Sequence, residues 1–224
     1  MKETINVPQQ TFKHSLKRTL NLEIVDALFY CIELRDKLTA THSVVMAHYS
    51  YELAKIYDQE QSLLYYAGSL IHDIGKIAMD DRILKGNIRL SADERTCLWE
   101  HVKSGERILE RLPLPAIVKD IVRYHHERFD GSGYIKGLKG YSIPLCGRIA
   151  AVSDTFSAII CGRPYQNLRS AREAINIMKR DTHLFDAAIL QSLTIIVEKE
   201  INNNRVISES KVPWNMLQDT EKIK

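Results

Sequence analysis

Residues 63–76 read Leu63-Leu64-Tyr65-Tyr66-Ala67-Gly68-Ser69-Leu70-Ile71-His72-Asp73-Ile74-Gly75-Lys76, and this stretch decides the fold. It is apolar almost all round up to Ile74, which predicts a central buried helix over 63–74 rather than an amphipathic surface one. Gly75 reads as its C-terminal stop. A histidine and an aspartate stand side by side at the end of that apolar run. A buried imidazole or carboxylate costs free energy unless it finds a partner. A second run, His125-His126-Glu127-Arg128-Phe129-Asp130-Gly131-Ser132-Gly133-Tyr134, adds two adjacent imidazoles and a glycine-rich loop. A pair of metal ions would satisfy all of these ligands at once.

Outward from this centre, helical periodicity recurs and strand signals are weak. A first helix is predicted from about Phe12 to Lys37, with Leu20, Ile24, Ala27, Leu28 and Cys31 on one face. A second starts near Thr41-His42, with the stripe Val44, Ala47, Tyr51 and Ala54. Ser91 and Glu94 form a capping-box pattern opening a helix through about Arg111. Pro113 and Pro115 mark a turn, and Ile117, Ile121 and Val122 carry a helix into His125. Gly131, Gly133, Gly137 and Gly140 give loop composition. Pro144 restarts a helix to about Ile160, Ser170 and Glu173 form a second capping box, and Asp186 caps a last helix through about Glu200. The expected fold is all-α, a single bundle of about seven or more helices around a metal centre. Its boundaries are an N-terminal extension at 1–19, the catalytic domain at 20–201 and a polar tail at 202–224 that docks locally through Trp214.

Composition limits the function classes. Hydrophobic residues make up 45% and charged residues 26% of the 224, the balance of a soluble globular protein. A net charge of +3, from 31 basic and 28 acidic residues, is too mild to argue for DNA as a partner. No apolar run reaches the ~18 residues that a membrane span needs. Cys31, Cys97, Cys146 and Cys161 have no CxxC spacing, so reduced, buried thiols in a bacterial-type cytoplasmic protein are expected.

Five of the eight histidines lie near helix ends or within amphipathic helices: His42, His72, His101, His125 and His126. Helical bundles build metal sites from such ligands on facing helices. Taken alone, His42 reads as a helix-start residue and His101 as a half-buried surface histidine. The adjacent pairs are the more specific signal. His14, His48 and His183 lie off the ligand pattern. Imidazole and carboxylate together suit Mn, Fe, Zn, Ni or Co. Asp73 has two oxygens with which to bridge two ions ~3.5–4 Å apart, an arrangement that activates water and stabilises charge on a phosphoryl oxygen.

These motifs, in this order, resemble the HD-GYP family of HD-domain metal-dependent phosphohydrolases, from about Leu20 to Glu200. The resemblance rests on Arg35-Asp36 through Thr41-His42, then His72-Asp73-Ile74-Gly75-Lys76, then Glu100-His101 before Gly105. It continues with His125-His126-Glu127 into Asp130-Gly131-Ser132-Gly133-Tyr134, Ile143-Pro144-Leu145, Val152-Ser153-Asp154 and Arg163-Pro164-Tyr165. It implies a helical fold around a metal centre and hydrolysis of a cyclic dinucleotide, chiefly c-di-GMP, by a hydroxide shared between two metals. One ion would be held by His42, His72, Asp73 and Asp154, the other by Asp73, His101, His125 and His126. The ions would be Fe or Mn first, with Ni, Co and Zn open. Asp73 and Lys76 would be catalytic.

Substrate contacts would come from Lys76, Gly131, Gly133, Tyr134 and Arg163. For each a plainer reading stands beside that role: a solvated helix-end lysine, turn glycines, a loop-anchoring tyrosine and a surface arginine. A diguanylate-cyclase-type protein partner and a homodimer through the first helix are further expectations. The chain departs from the family pattern at four places. Ile135 stands where a proline would stiffen the loop. Leu38 replaces the glutamate of three-metal members, so a two-metal centre is expected. Gln166 replaces a lysine, and Ser157 an aspartate. The competing expectations are a weak or inactive cyclic-dinucleotide receptor or interaction module, and an HD phosphohydrolase acting on another nucleotide.

Overall fold

The structure is a computed structural model that describes residues 21–84, 92–162 and 169–203, with the backbone alone for 92–98. Among these residues it is all-α. The helices are α1 (Leu22–Arg35), α2 (Lys37–Tyr57), α3 (Ser62–Leu70), the short α4 (Asp81–Leu84), α5 (Ala92–Glu110), α6 (Ala116–Tyr124), α7 (Leu145–Cys161), α8 (Ala171–Met178) and α9 (Ala187–Asn202). The expected helical bundle is therefore present. The proposed segments 1–19 and most of 202–224, with His14, Ser91, Arg163, Gln166 and Trp214, lie outside the described residues.

The break between the first two helices, expected between Lys37 and Thr41, falls at Asp36. The backbone of Asp36 is extended, and its carboxylate accepts from the Thr39 amide at 2.9 Å and the Thr39 hydroxyl at 2.6 Å. That N-cap ends α1 at Arg35 and starts α2 at Lys37, four residues before Thr41. α1 buries Val25 and Ile32. Ala27 and Cys31 of the expected stripe face outward, so the packed face is rotated by about one residue. Cys31 is correspondingly an exposed thiol, not a buried one, whereas Cys146 and Cys161 are buried. At its start α1 is tied to the α5–α6 turn by Asn21, whose side-chain amide donates to the Pro113 carbonyl at 2.8 Å.

The helices enclose two apolar clusters. In one, Met46, Tyr49 and Leu53 of α2 meet Ile149 and Phe156 of α7 and Leu193 of α9. In the other, Val25, Ile32, Leu70, Ile71, Leu109 and Val122 join α1, α3, α5 and α6. α2 contributes to both and packs against α3 and α7. Its C-terminal half is clamped to α9 by Glu200, which accepts from Tyr49 Oη and pairs with His48 Nε2, both at 2.8 Å. The Ser170–Glu173 capping box opens α8 as expected. Asp186 caps α9 through the Ala188 amide and holds Arg148 of α7 at 2.5 Å.

The central segment differs from its expected form. α3 ends at Leu70, and residues 71–73 turn before a 3₁₀ segment, Ile74–Ala78. Gly75 is therefore no helix stop. It is buried, and a β-carbon there would collide with the His101 carbonyl of α5. The missing side chain lets the α5 backbone lie directly on the turn that carries His72 and Asp73.

A candidate metal centre

Five backbone elements deliver the seven expected ligands to one place. His42 comes from α2, and His72 and Asp73 from the turn after α3. His101 comes from α5, His125 and His126 from the end of α6, and Asp154 from the middle of α7. Three overlapping groups have ligand atoms within 4.8 Å of one another: His42, His72 and Asp154; His72, Asp73 and His125; and His101, His125 and His126. His48 and His183 stand apart, the former on Glu200 and the latter near Asp130 at 4.0 Å.

The two ends of the cluster are joined by Asp73. Its Oδ2 lies 3.2 Å from His72 Nε2 and its Oδ1 3.3 Å from His101 Nε2. Asp154 spans a similar gap, with Oδ1 2.9 Å from His42 Nε2 and Oδ2 3.6 Å from His126 Nδ1. The outer ring nitrogens explain which way the lone pairs point. His72 Nδ1 donates to the Ser69 carbonyl at 2.7 Å and His125 Nδ1 to the Val122 carbonyl at 2.9 Å. A carbonyl can only accept, so each Nδ1 carries the proton and each Nε2 turns a lone pair inward.

His42 follows the same logic through Ser157. The Ser157 hydroxyl spends its one proton on the Asp154 carbonyl at 3.0 Å. It is left to accept from His42 Nδ1, also at 3.0 Å. Ser157 thus orients a ligand ring as an aspartate acceptor would, without the negative charge. Inward lone pairs now face carboxylate oxygens, and His72 Nε2 is buried with no hydrogen-bond partner. Lone pairs opposed to carboxylates at these distances repel unless positive charge lies between them. The residues present therefore fit divalent cations.

Electrostatics inside the cluster agree. Burial alone would push Asp73 up, but His72 and Lys76 hold it well below the usual carboxylate range. Asp154 is lowered likewise, its burial outweighed by the His42 ring beside it. Burial and the neighbouring His72 push His125 down to about 3, and burial with His125 lowers His126. His72 goes the other way, its burial outweighed by Asp73. A proton is drawn to the place where a cation is called for.

Lys76 lies three residues beyond Asp73 on the 3₁₀ turn, where side chains at that spacing eclipse. Its Nζ reaches Asp73 Oδ2 at 2.5 Å. Tyr134 packs its ring against Trp99 at 4.9 Å and against His126 at 4.6 Å, which is the loop-anchor geometry. Gly131 has a positive φ of 88°, and its amide donates to the Arg128 carbonyl at 2.8 Å, so that donor is spent within the turn. Gly133 has no room for a β-carbon against the backbone of residues 126–128.

Sequence reasoning missed what holds this loop. Glu127 is 1% exposed, and its two oxygens accept from the Lys136 amide at 2.7 Å and the Leu138 amide at 2.8 Å. The Tyr134 amide adds a bond to the His126 carbonyl at 3.1 Å. The loop is thereby sewn to the residues that follow the paired histidines. The signal available was a glutamate directly after two candidate ligands, but its backbone partners lie nine and eleven residues away. Beyond the ligands opens a cavity of about 630 Å³, within the usual range for small-molecule sites. His126 and Asp154 lie at its wall, together with Arg128 and Arg169.

A buried histidine–aspartate cluster on an all-helical frame is the arrangement expected of an HD fold, and comparison with known proteins agrees. The HD domain family model matches residues 26–189. A probable cyclic di-GMP phosphodiesterase of Vibrio cholerae is 34% identical over 192 residues, covering 77% of this chain and 43% of the relative. A cyclic di-GMP phosphodiesterase of Thermotoga maritima is 34% identical over 187 residues, covering 81% and 50%. A 3'3'-cGAMP-specific phosphodiesterase of Vibrio cholerae is 37% identical over 155 residues, covering 67% and 30%. The chain thus spans half or less of the length of these relatives. Among solved structures, the HD domain of the L. monocytogenes phosphodiesterase PgpH in complex with cyclic-di-AMP has the same fold. Its TM-score is 0.57 at 19% identity, over 81% of this chain and 98% of that one. The chain belongs to the HD-domain superfamily, as an HD-GYP-like phosphohydrolase family member.

Proposed function

We propose that this protein is a metal-dependent phosphodiesterase that hydrolyses a cyclic dinucleotide, with c-di-GMP the first candidate. The observation that carries this reading is the Asp73 carboxylate, one oxygen beside His72 and the other beside His101, at the join between two groups of inward lone pairs. His42, His72, Asp73 and Asp154 would hold one divalent ion, and Asp73, His101, His125 and His126 the other, with Fe or Mn expected. When bound, two such ions supply Lewis acidity that lowers the pKa of attacking water and offsets charge on a phosphoryl oxygen.

The protein's own residues do the rest. Ser69, Val122 and Ser157 fix the tautomers of His72, His125 and His42, so no reorganisation is needed when charge develops. Lys76 brings a compact cation beside Asp73, at the reacting end of the site, for a nonbridging phosphate oxygen. Tyr134, braced by Trp99, backs His126. Relatives named for c-di-GMP and for 3'3'-cGAMP support the substrate class without choosing within it.

The test is metal content per chain on protein purified without chelator, beside hydrolysis of c-di-GMP, 3'3'-cGAMP and c-di-AMP by the same sample. About two ions per chain with turnover of one of them is the expected result. Metal-loaded protein that binds a cyclic dinucleotide without cleaving it would overturn the enzyme reading in favour of a receptor.

A further inference from the structure

We propose that Arg128 and Arg169 form a binding site for the second, non-reacting phosphate of the cyclic dinucleotide. This rests on the phosphodiesterase reading above and names how the same cavity takes its substrate. The first observation is placement. Arg128 follows the paired histidines by two residues, Arg169 precedes the cap of α8, and both line the 630 Å³ cavity that has His126 and Asp154 on its wall. They approach from separate elements of the chain, so their convergence is a product of tertiary structure.

The second observation is that, among the described residues, these two exposed arginines have no ion-pair partner in contact. Arginines that hold the fold together are engaged: Arg148 with Asp186 at 2.5 Å, Arg123 with Glu106 at 2.6 Å, and Arg35 with Asp81. Neither Arg128 nor Arg169 forms a side-chain hydrogen bond or ion pair among the described residues. Asp130 and Glu173 feel the charge of Arg128 and Arg169 respectively without hydrogen-bonding them, their carboxylates accepting instead from the chain. Asp130 accepts from the Ser132 amide at 2.9 Å, and Glu173 from the Ser170 amide and hydroxyl, both at 2.8 Å. Two guanidinium groups at the wall of one cavity, neither hydrogen-bonded to a carboxylate, form a site for an anion, and a phosphate matches their donor geometry.

The third observation is the remaining wall. Ile159, Ile177, Leu184 and Phe185 give the cavity an apolar side. A cyclic dinucleotide carries two phosphodiesters on one closed ring and two flat bases. With one phosphate at the ligand cluster, the other is confined to the same cavity, keeps its full charge and undergoes no bond change. It needs a cation, not a catalyst. The arginines would supply that cation, and the apolar side would seat a base.

The site predicts a split between two substrates. Bis(p-nitrophenyl) phosphate has a single phosphodiester and occupies only the reacting end. The full chain, metal-loaded, is assayed with it and with c-di-GMP, in wild-type form and as Arg128→Ala, Arg169→Ala and Arg169→Lys. The alanine variants are expected to raise KM for the cyclic dinucleotide ~10-fold each, the loss of one charged hydrogen-bonding partner, with kcat within about twofold. Arg169→Lys should recover part of the loss. The single diester should be cleaved unchanged, which also shows that the variants are folded and loaded. Calorimetric binding of a phosphorothioate cyclic dinucleotide should weaken in parallel. Equal losses on both substrates, or no change with the cyclic dinucleotide, would overturn the site. Wild-type cleavage of the single diester with no cleavage of any cyclic dinucleotide would instead overturn the parent reading, and the site with it.

Discussion

The ligand cluster and the loop of residues 130–141 lie side by side and are held in opposite ways. In the cluster, His72 and His125 are fixed by acceptors three residues away, Ser69 and Val122, and His42 by the Ser157 hydroxyl of a neighbouring helix. The loop has few such local supports. It depends on one buried carboxylate, Glu127, and on a tyrosine wedged between Trp99 and His126. The cluster draws its supports from several helices, and the middle of the loop leans on one buried carboxylate besides its own backbone bonds. Damage to the cluster should therefore be chemical, and damage to the loop conformational.

The strongest test of that contrast is Asp73→Asn. It keeps the shape and removes the charge that joins the two halves. Turnover should fall by on the order of 10³-fold, because the proposed ions would supply several kcal/mol of charge stabilisation there. Metal content should drop while the helical circular dichroism stays. A variant that keeps the wild-type metal content and full activity would remove Asp73 from the proposed centre.

Ser157→Ala removes the acceptor that orients His42 and should weaken metal affinity ~10–100-fold. Ser157→Asp keeps an acceptor and adds charge, so it should restore or exceed the original affinity in a metal-competition titration. If both variants matched the wild type, His42 would be oriented by something other than this hydroxyl.

Glu127→Ala leaves two loop amides without their acceptor, at a cost of ~1–3 kcal/mol. The melting temperature should fall by a few degrees, and KM for the cyclic dinucleotide should rise more than kcat falls. Metal content should be unchanged, since the histidines keep their own supports. Loss of metal in this variant would erase the distinction between the two regions.

The smallest effect concerns pH in chelated protein. His125, held at about 3 against an ordinary 6.5, takes up no proton as pH falls from 6.5 toward 3, whereas the unfolded chain does. Its contribution is full above 6.5 and is lost on acidification. His126, also lowered, acts in the same direction. His72 is raised, so its contribution is present in acid and lost as pH rises. Two against one predicts a melting temperature ~2–4 °C lower at pH 5 than at pH 7. Asp73 and Asp154, both lowered, add their own loss only below the ordinary carboxylate range. A rise on acidification would make His72 the dominant group.

Much of this protein was legible in its residues. Apolar periodicity located α3, α6 and α7, and the Ser170–Glu173 box and Asp186 cap marked their helices, because capping is local chemistry. The ligand residues stood out because His72-Asp73 and His125-His126 are adjacent polar pairs in apolar settings, which burial penalises unless they are used. Where reading failed, a local signal had two explanations. Gly75 resembled a helix stop but serves close contact with the His101 backbone, and the second helix starts at Lys37, four residues ahead of Thr41, because Asp36 caps it through Thr39. Only the tertiary structure decided that Ser157 accepts from His42 across 115 residues, that Glu127 holds a loop eleven residues on, and that Arg128 and Arg169 meet at one cavity. The physical reason is range. Caps and periodicity act within a turn or two of the chain, whereas acceptors, clamps and cavities are made by elements that touch only after the core has packed.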